Sequence, residues 1–116
     1  MTQVKLTDTA MSDLQEIYNY SMSKRGESTA DDYLEKFDHS LNIIRSNPSI
    51  LKINKNISSR FRIYFVQKHC LICDMVGDTV VVLTILHTSM NLLERLKKLE
   101  PSLEEEVTIL SNRLRD

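Results

Sequence analysis

Three sets of side chains in this 116-residue chain are of types that do chemistry: two cysteines, three histidines and a pair of closely spaced arginines. Cys70 and Cys73 match the C-x-x-C spacing of redox dithiols and zinc knuckles, which are built on a helix N-terminus or a turn. Here Cys70-Leu-Ile-Cys73 lies inside an apolar, strand-like run, where an odd separation sends the two side chains to opposite faces. With no second cysteine pair, the expectation is two separate thiols in a reducing compartment, with neither a disulfide nor a metal. His39 falls on the solvated face of a helical stretch, and His69 opens a strand beside Lys68 as a surface turn residue. His87 differs, because it ends the most apolar run, where the chain leaves a sheet and where sites are commonly placed. Together with Arg60, Arg62 and Lys68 it would form a general acid/base and phosphate-clamping group suited to RNA cleavage. The plain alternative is a histidine that caps the turn after it. Arg60 and Arg62 would share one face of one strand about 7 Å apart, with Tyr64 beside them. Such a pair of forks suits a phosphate or the acidic side chains of a protein partner equally well.

The elements that must carry these residues follow from periodicity. Three runs between Ser59 and Met90, rich in β-branched and aromatic residues, are separated by Gln67-Lys68 and Gly77-Asp78 and read as an antiparallel meander. In the first run Phe61, Ile63 and Phe65 face one way, opposite Arg60, Arg62, Tyr64 and Val66. The third run, Thr79 to Leu86, is apolar on both faces and therefore belongs at the centre of a sheet, with its second face covered by the tail or by a partner. Ahead of the meander, Val4 and Leu6 suggest a short edge strand. Thr7 is placed to cap a helix with Ala10, Leu14, Ile17, Tyr18 and Ser21 on one face, ending at Lys24-Arg25-Gly26. A second helix capped by Ser28 carries Ala30, Tyr33, Leu34, Phe37, Leu41 and Ile44 as a stripe up to Asn47-Pro48. The resulting helical hairpin has one apolar side, to be buried on the Phe61, Ile63 and Phe65 face of the meander. Asn91 to Leu99 and Pro101 to Leu114 read as two short helices, with Leu103, Val107, Leu110 and Leu114 in line.

Size and composition bound the class. One domain of ordinary apolar content, with only two glycines and two prolines, is neither a repeat array nor disordered. No run approaches the roughly 18 apolar residues of a membrane span, and the N-terminus lacks a signal-peptide pattern, so a cytoplasmic location is expected. A net charge of -1 and a pI near 6.3 do not match the usual nucleic-acid-binding footprint. The charge is nonetheless polarised. From His39 to Cys73 there is no Asp or Glu, while Arg45, Lys52, Lys55, Arg60, Arg62 and Lys68 fall there; Asp and Glu load the first two helices and the tail. This points to an acidic partner on the sheet side, the alternative being a loop that merely carries lysines.

The order and spacing of Ala10, Asp13-Leu14, Ile17 and Tyr20, of Gly26, Ala30 and Tyr33, of Pro48, of Arg60 to Val66, and of Ile85-Leu86-His87 with Met90 resemble the RelE/ParE superfamily of type II toxin-antitoxin toxins. The likeness spans about residues 4 to 90 and is nearer to ParE than to RelE. It implies an α+β fold in which a strand, a helical hairpin and a three-stranded meander form one antiparallel sheet; the chain as a whole reads as a single domain, 1–116, with residues 91–116 as a helical extension. The resemblance also implies a cognate antitoxin whose C-terminal segment wraps the toxin and fills its sheet groove, giving a toxin-antitoxin hetero-oligomer. On that reading the antitoxin covers Arg60, Arg62, Tyr64, Val81 and Leu83. ParE-like members poison DNA gyrase by contact, without a cofactor, a metal or catalysis. RelE-like members cut mRNA on the ribosome, which would assign His87, Arg60 and Arg62 as the catalytic set; a third reading is a toxin-like domain that retains only binding. The chain's mild acidity favours the first, because a phosphate-dense target rewards many Lys and Arg contacts. The extension departs from the family pattern, in which chains often stop soon after the His-containing strand.

Overall fold

A computed structural model describes residues 2–115, with side chains to residue 113. Chain order is β1 (Gln3–Leu6), α1 (Asp8–Arg25), α2 (Glu27–Ser46), a short 3₁₀ turn, β2 (Lys52–Ile53), β3 (Arg62–Val66), β4 (His69–Val76), β5 (Thr79–His87) and α3 (Leu92–Arg115). The strands form one sheet in the order β1-β5-β4-β3-β2, with the helical hairpin on one face and α3 on the other. No helix among the described residues is long and apolar enough to cross a membrane.

The junctions follow from local chemistry. Thr7 ends β1 and caps α1: its hydroxyl accepts the Ala10 N–H (3.0 Å) and donates to the Leu83 carbonyl (2.8 Å), and its own N–H reaches the Val82 carbonyl. One buried residue thus closes a helix end and ties it to the central strand, a cap worth about 1 kcal/mol before the tie is counted. Between the helices there is a single residue, Gly26, with φ 91° and ψ 168°, a backbone region open essentially to glycine alone. Because Gly26 also begins α2, Ser28 lies inside that helix and no side chain caps it, contrary to the capping expected from sequence.

Three expectations about the sheet need correction. The sheet is mixed rather than wholly antiparallel, because β1 pairs in parallel with β5, Val4 opposite Val80 and Leu6 opposite Val82. A fifth strand, β2, pairs with β3 through Lys52 and Ile53 and is too short for alternation to reveal it. The two covers are also exchanged. The hairpin buries Val66, Leu71, Cys73, Val80, Val82 and Ile85 against Ala10, Phe37 and Ile44, whereas Phe61 and Ile63 lie on the α3 side. Phe65 is half exposed near that edge. In the sequence both faces of the central strands are apolar, so composition could not say which helix takes which face.

The tail is one helix, not two. Pro101 sits inside α3 and removes a backbone hydrogen bond, at a cost of about 3 kcal/mol. Leu96 and Leu103, seven residues apart and so on one face, are both buried on the sheet, at roughly 1.5–3 kcal/mol each. That burial outweighs the proline cost. Leu99, Val107 and Leu110 continue the contact, while the Leu114 side chain lies outside the described residues.

One irregularity matters most for function. In the β4–β5 pairing Ile72 is opposite Thr84 and Cys73 is opposite Val82, which leaves Leu83 as an extra residue, a β-bulge. Up to the bulge, odd-numbered Val81 and Leu83 face α3; beyond it, Ile85 faces the hairpin. Strict alternation would have sent Ile85 and His87 to the α3 side.

Candidate functional site

Beyond the bulge, His87 lies directly opposite His69, and their rings meet edge to face with centroids 4.9 Å apart. His69 in turn shares a hydrogen bond through Nδ1 with the Tyr33 hydroxyl, which also accepts the Lys68 N–H (3.3 Å) and lies 3.5 Å from the Val66 carbonyl. Tyr33 and His69 both pack against Phe37, at 5.2 and 6.0 Å between ring centroids. Burial, with a smaller contribution from His87, pulls the His69 pKa down to about 4, so His69 is neutral near pH 7. Burial likewise raises the Tyr33 hydroxyl above its ordinary value.

Tyr33, His69 and His87 form part of the wall of an open cleft of about 850 Å³ between the two hairpin helices and the ends of β4 and β5 that His69 and His87 occupy. From α1 come Asp13, Glu16, Ile17 and Tyr20, spaced to share a helix face; from α2 come Asp32, Tyr33 and Lys36. The β3–β4 turn contributes Gln67 and Lys68. Gln67 takes φ 54°, a left-handed conformation that costs a non-glycine residue on the order of 1 kcal/mol. Two straps hold the cleft together. Asp13 accepts from the Thr84 hydroxyl (2.5 Å) and the Ile85 N–H (3.0 Å), fixing α1 to the strand just past the bulge. The Thr88 N–H and hydroxyl both donate to the Lys68 carbonyl, at 2.8 and 3.0 Å, fixing the end of β5 to the turn. His87 Nδ1 accepts the Ser89 N–H at 3.0 Å, so it does cap the turn that follows it, and the neutral ring then carries its proton on Nε2.

The residues singled out from sequence do not gather here as a set. Arg60 precedes β3, and its guanidinium binds Asp74 (2.8 Å) and Glu104 of α3 (2.6 Å) while lying over the Phe61 ring. Arg62 instead donates to the Leu51 carbonyl at 3.2 Å. The expected pair of parallel forks is therefore absent, because Arg60 lies outside the strand and each arginine has its own intramolecular acceptor. Arg62 is opposite Cys73 and His87 opposite His69, four residues further along β4, so His87 and Arg62 are offset by about 13 Å along the sheet. Val81 and Leu83 are 2% and 0% exposed beneath α3, so the face on which they were expected to be open is covered by the chain's own helix. Tyr64 is half-buried against the hairpin-side core.

The cysteines divide as their odd spacing requires, Cys70 under α3 and Cys73 under the hairpin. Both are buried free thiols; burial pushes Cys70 up to about 12 and Cys73 higher still. Among the described residues no three His, Cys, Asp or Glu side chains converge to hold a metal ion. Sequence reading missed Tyr33 and His69 as site residues, because they lie 36 positions apart and nothing local links them.

Residues 4–92 match the family model described as the ParE toxin of the type II toxin-antitoxin system parDE. The chain is 28% identical over 91 residues to Toxin ParE1 of Caulobacter vibrioides, covering 78% of this chain and 94% of that one. A solved structure described as the chromosomal ParDE TA system from P. aeruginosa superimposes with a TM-score of 0.66 at 16% identity, over 75% of this chain and 96% of the other, a likeness of fold. The family match ends where α3 begins.

Proposed function

The chain belongs to the ParE toxin family of type II toxin-antitoxin systems, and from that premise we propose that it inhibits DNA gyrase by protein–protein contact and is neutralised by a cognate antitoxin. The observation that carries this choice over RNA cleavage is the state of the two arginines. A phosphate clamp needs guanidinium groups free to close on one phosphate. Arg60 is held by two carboxylates, Arg62 by a backbone carbonyl, and His87 lies well along the sheet from Arg62. Freeing Arg60 would leave Asp74, which is 9% exposed, without its cation. Contact-based inhibition makes no such demand, and it accords with a net charge of -1.

The test is a supercoiling assay in which the purified full chain is titrated into DNA gyrase, with and without the antitoxin encoded beside it. Lost supercoiling or trapped double-strand cleavage, relieved by the antitoxin, is the expected result. Growth arrest in cells with no effect on gyrase at stoichiometric excess would overturn the reading in favour of mRNA cleavage, and His87→Ala would then abolish toxicity with the fold intact. Absence of growth arrest on expression without an antitoxin would leave a domain that only binds.

A further inference from the structure

We infer that the solvent-facing groove between α1 and α2 is the surface through which the chain meets DNA gyrase, and that it receives there a basic, amphipathic surface of that enzyme. The inference deepens the proposed function and rests on it, since it takes gyrase to be the target.

α1 is set apart from the other helices. α2 and α3 concentrate their apolar residues on one face, whereas α1 carries a second apolar line directed away from the sheet. Met11, Tyr18 and Met22, seven and four residues apart, follow one another along that line. Across the seam Leu34 of α2 stands beside Tyr18, and the Tyr18 hydroxyl donates to Asp31 at 2.8 Å, which ties the two helices together there. Met11, Met22 and Leu34 are 55%, 40% and 38% exposed, and none of them packs into either core. The fold makes no use of them. A contiguous line of exposed apolar side chains marks a surface for a partner, and thioether side chains adapt to the shape they meet.

The charge beside the groove selects the partner. Glu27, Asp31, Glu35 and Asp38, at i, i+4, i+8 and i+11, form an exposed ridge along α2 about 16 Å long. Both ion pairs among the described residues belong to Arg60, so no member of the ridge is in one. From Asp8 to Ser46 the hairpin carries eight Asp and Glu against four Lys and Arg. Of those cations Arg25 and Lys36 line the cleft, Arg45 bonds Asn42 at the far end of α2, and Lys24 stands in the last turn of α1. Such a ridge repels a nucleic acid or an anionic membrane. An enzyme that binds and passes a DNA duplex must present a basic surface to its phosphates, and an acidic ridge beside an apolar line complements a surface of that kind.

The experiment is inhibition of gyrase supercoiling by the purified full-length chain in four forms. They are the wild type, a ridge variant (Glu35→Lys/Asp38→Lys), a groove variant (Met22→Ser/Leu34→Ser) and a control, Glu94→Lys/Glu105→Lys, which makes the same charge change at exposed positions on α3. Thermal melts establish that all four are folded. Half-inhibition should need at least about 30-fold more of the ridge variant and about 10-fold more of the groove variant, against less than about threefold more of the control. Added salt should weaken inhibition by the wild type more than by the ridge variant. Equal inhibition by wild type and ridge variant, or an equal loss in ridge variant and control, would overturn the surface while leaving gyrase as the target; no inhibition by the wild type would overturn both. Two further outcomes would also overturn it. One is loss of binding to the antitoxin encoded beside the chain, measured by calorimetry, in a ridge variant that still inhibits gyrase, which would give the groove to the antitoxin. The other is a wild-type dimer, seen by sedimentation, that the ridge variant dissociates, which would give it to a second copy of the chain.

Discussion

On its hairpin side the sheet is covered by two helices that leave an open cleft at one end, walled by titratable groups and exposed lysines. On its α3 side a single helix closes over Phe61, Ile63, Val81, Leu83 and Leu86, and the charged groups there neutralise one another. The first cover lies within the family match and the second beyond it. The contrast separates two uses of apolar surface. Burial by α3 satisfies the sheet face internally, whereas the hairpin, strapped down by Thr7 and Asp13, leaves polar groups pre-positioned and solvent-accessible. Exposed polar and titratable groups therefore concentrate on the hairpin side, even though the arginine pair read from sequence pointed to the other.

The largest effects should come from thinning each cover. Phe37→Ala under the hairpin should cost roughly 3–5 kcal/mol and Leu103→Ala in α3 roughly 2–5 kcal/mol, read from urea unfolding. The two buried thiols tell the covers apart, because each is protonated and shielded until its own cover opens. In Leu103→Ala, alkylation followed by mass spectrometry should label Cys70 ahead of Cys73, and in Phe37→Ala the order should reverse. Equal labelling in both variants would mean that the covers open as one unit, and the comparison would fail.

A smaller effect concerns pH. His69 is held near pKa 4 in the fold against 6.5 for the free side chain, so between those values the unfolded chain binds the extra proton. The stability linked to His69 is full above about pH 6.5 and is lost as pH falls towards 4. Because the ring is only half-buried, solvent screening reduces the loss to about 1–2 kcal/mol. Unfolding midpoints measured from pH 7 to pH 4 should fall accordingly, and His69→Gln should flatten that part of the profile. No histidine among the described residues packs in the α3-side core, so a slope that survived His69→Gln would have to come from other groups. The smallest effect should be at the cleft rim. Gln67→Gly relieves a left-handed turn residue and should raise stability by about 0.5 kcal/mol, visible as a small upward shift in Tm; a fall would show that the Gln67 side chain contributes more than its backbone costs.

Much of this architecture is legible in the chain because it depends on neighbours in sequence. The Thr7 cap, the Gly77-Asp78 turn with Gly77 at φ 60°, the central placement of β5 and the opposed cysteines all follow from local period and turn chemistry. The short β2 and the continuity of α3 through Pro101 were not legible, since the first is below the length at which alternation shows and the second is decided by what lies under Leu96 and Leu103.

By itself, then, the sequence determined which segments are helix and which are strand, β2 and the join at Pro101 apart, because side-chain periodicity and turn residues act over a few positions. It also carried the family likeness, which the match over residues 4–92 bears out. Only the tertiary structure decided which cover took which face and which side chains became a site. Two nearly equivalent apolar faces compete for the same helices, and a single bulge at Leu83 turns His87 towards His69, Tyr33 and the cleft. A shift of one residue in register reverses every side chain beyond it, and that register is set by pairing with β4 rather than by β5 alone.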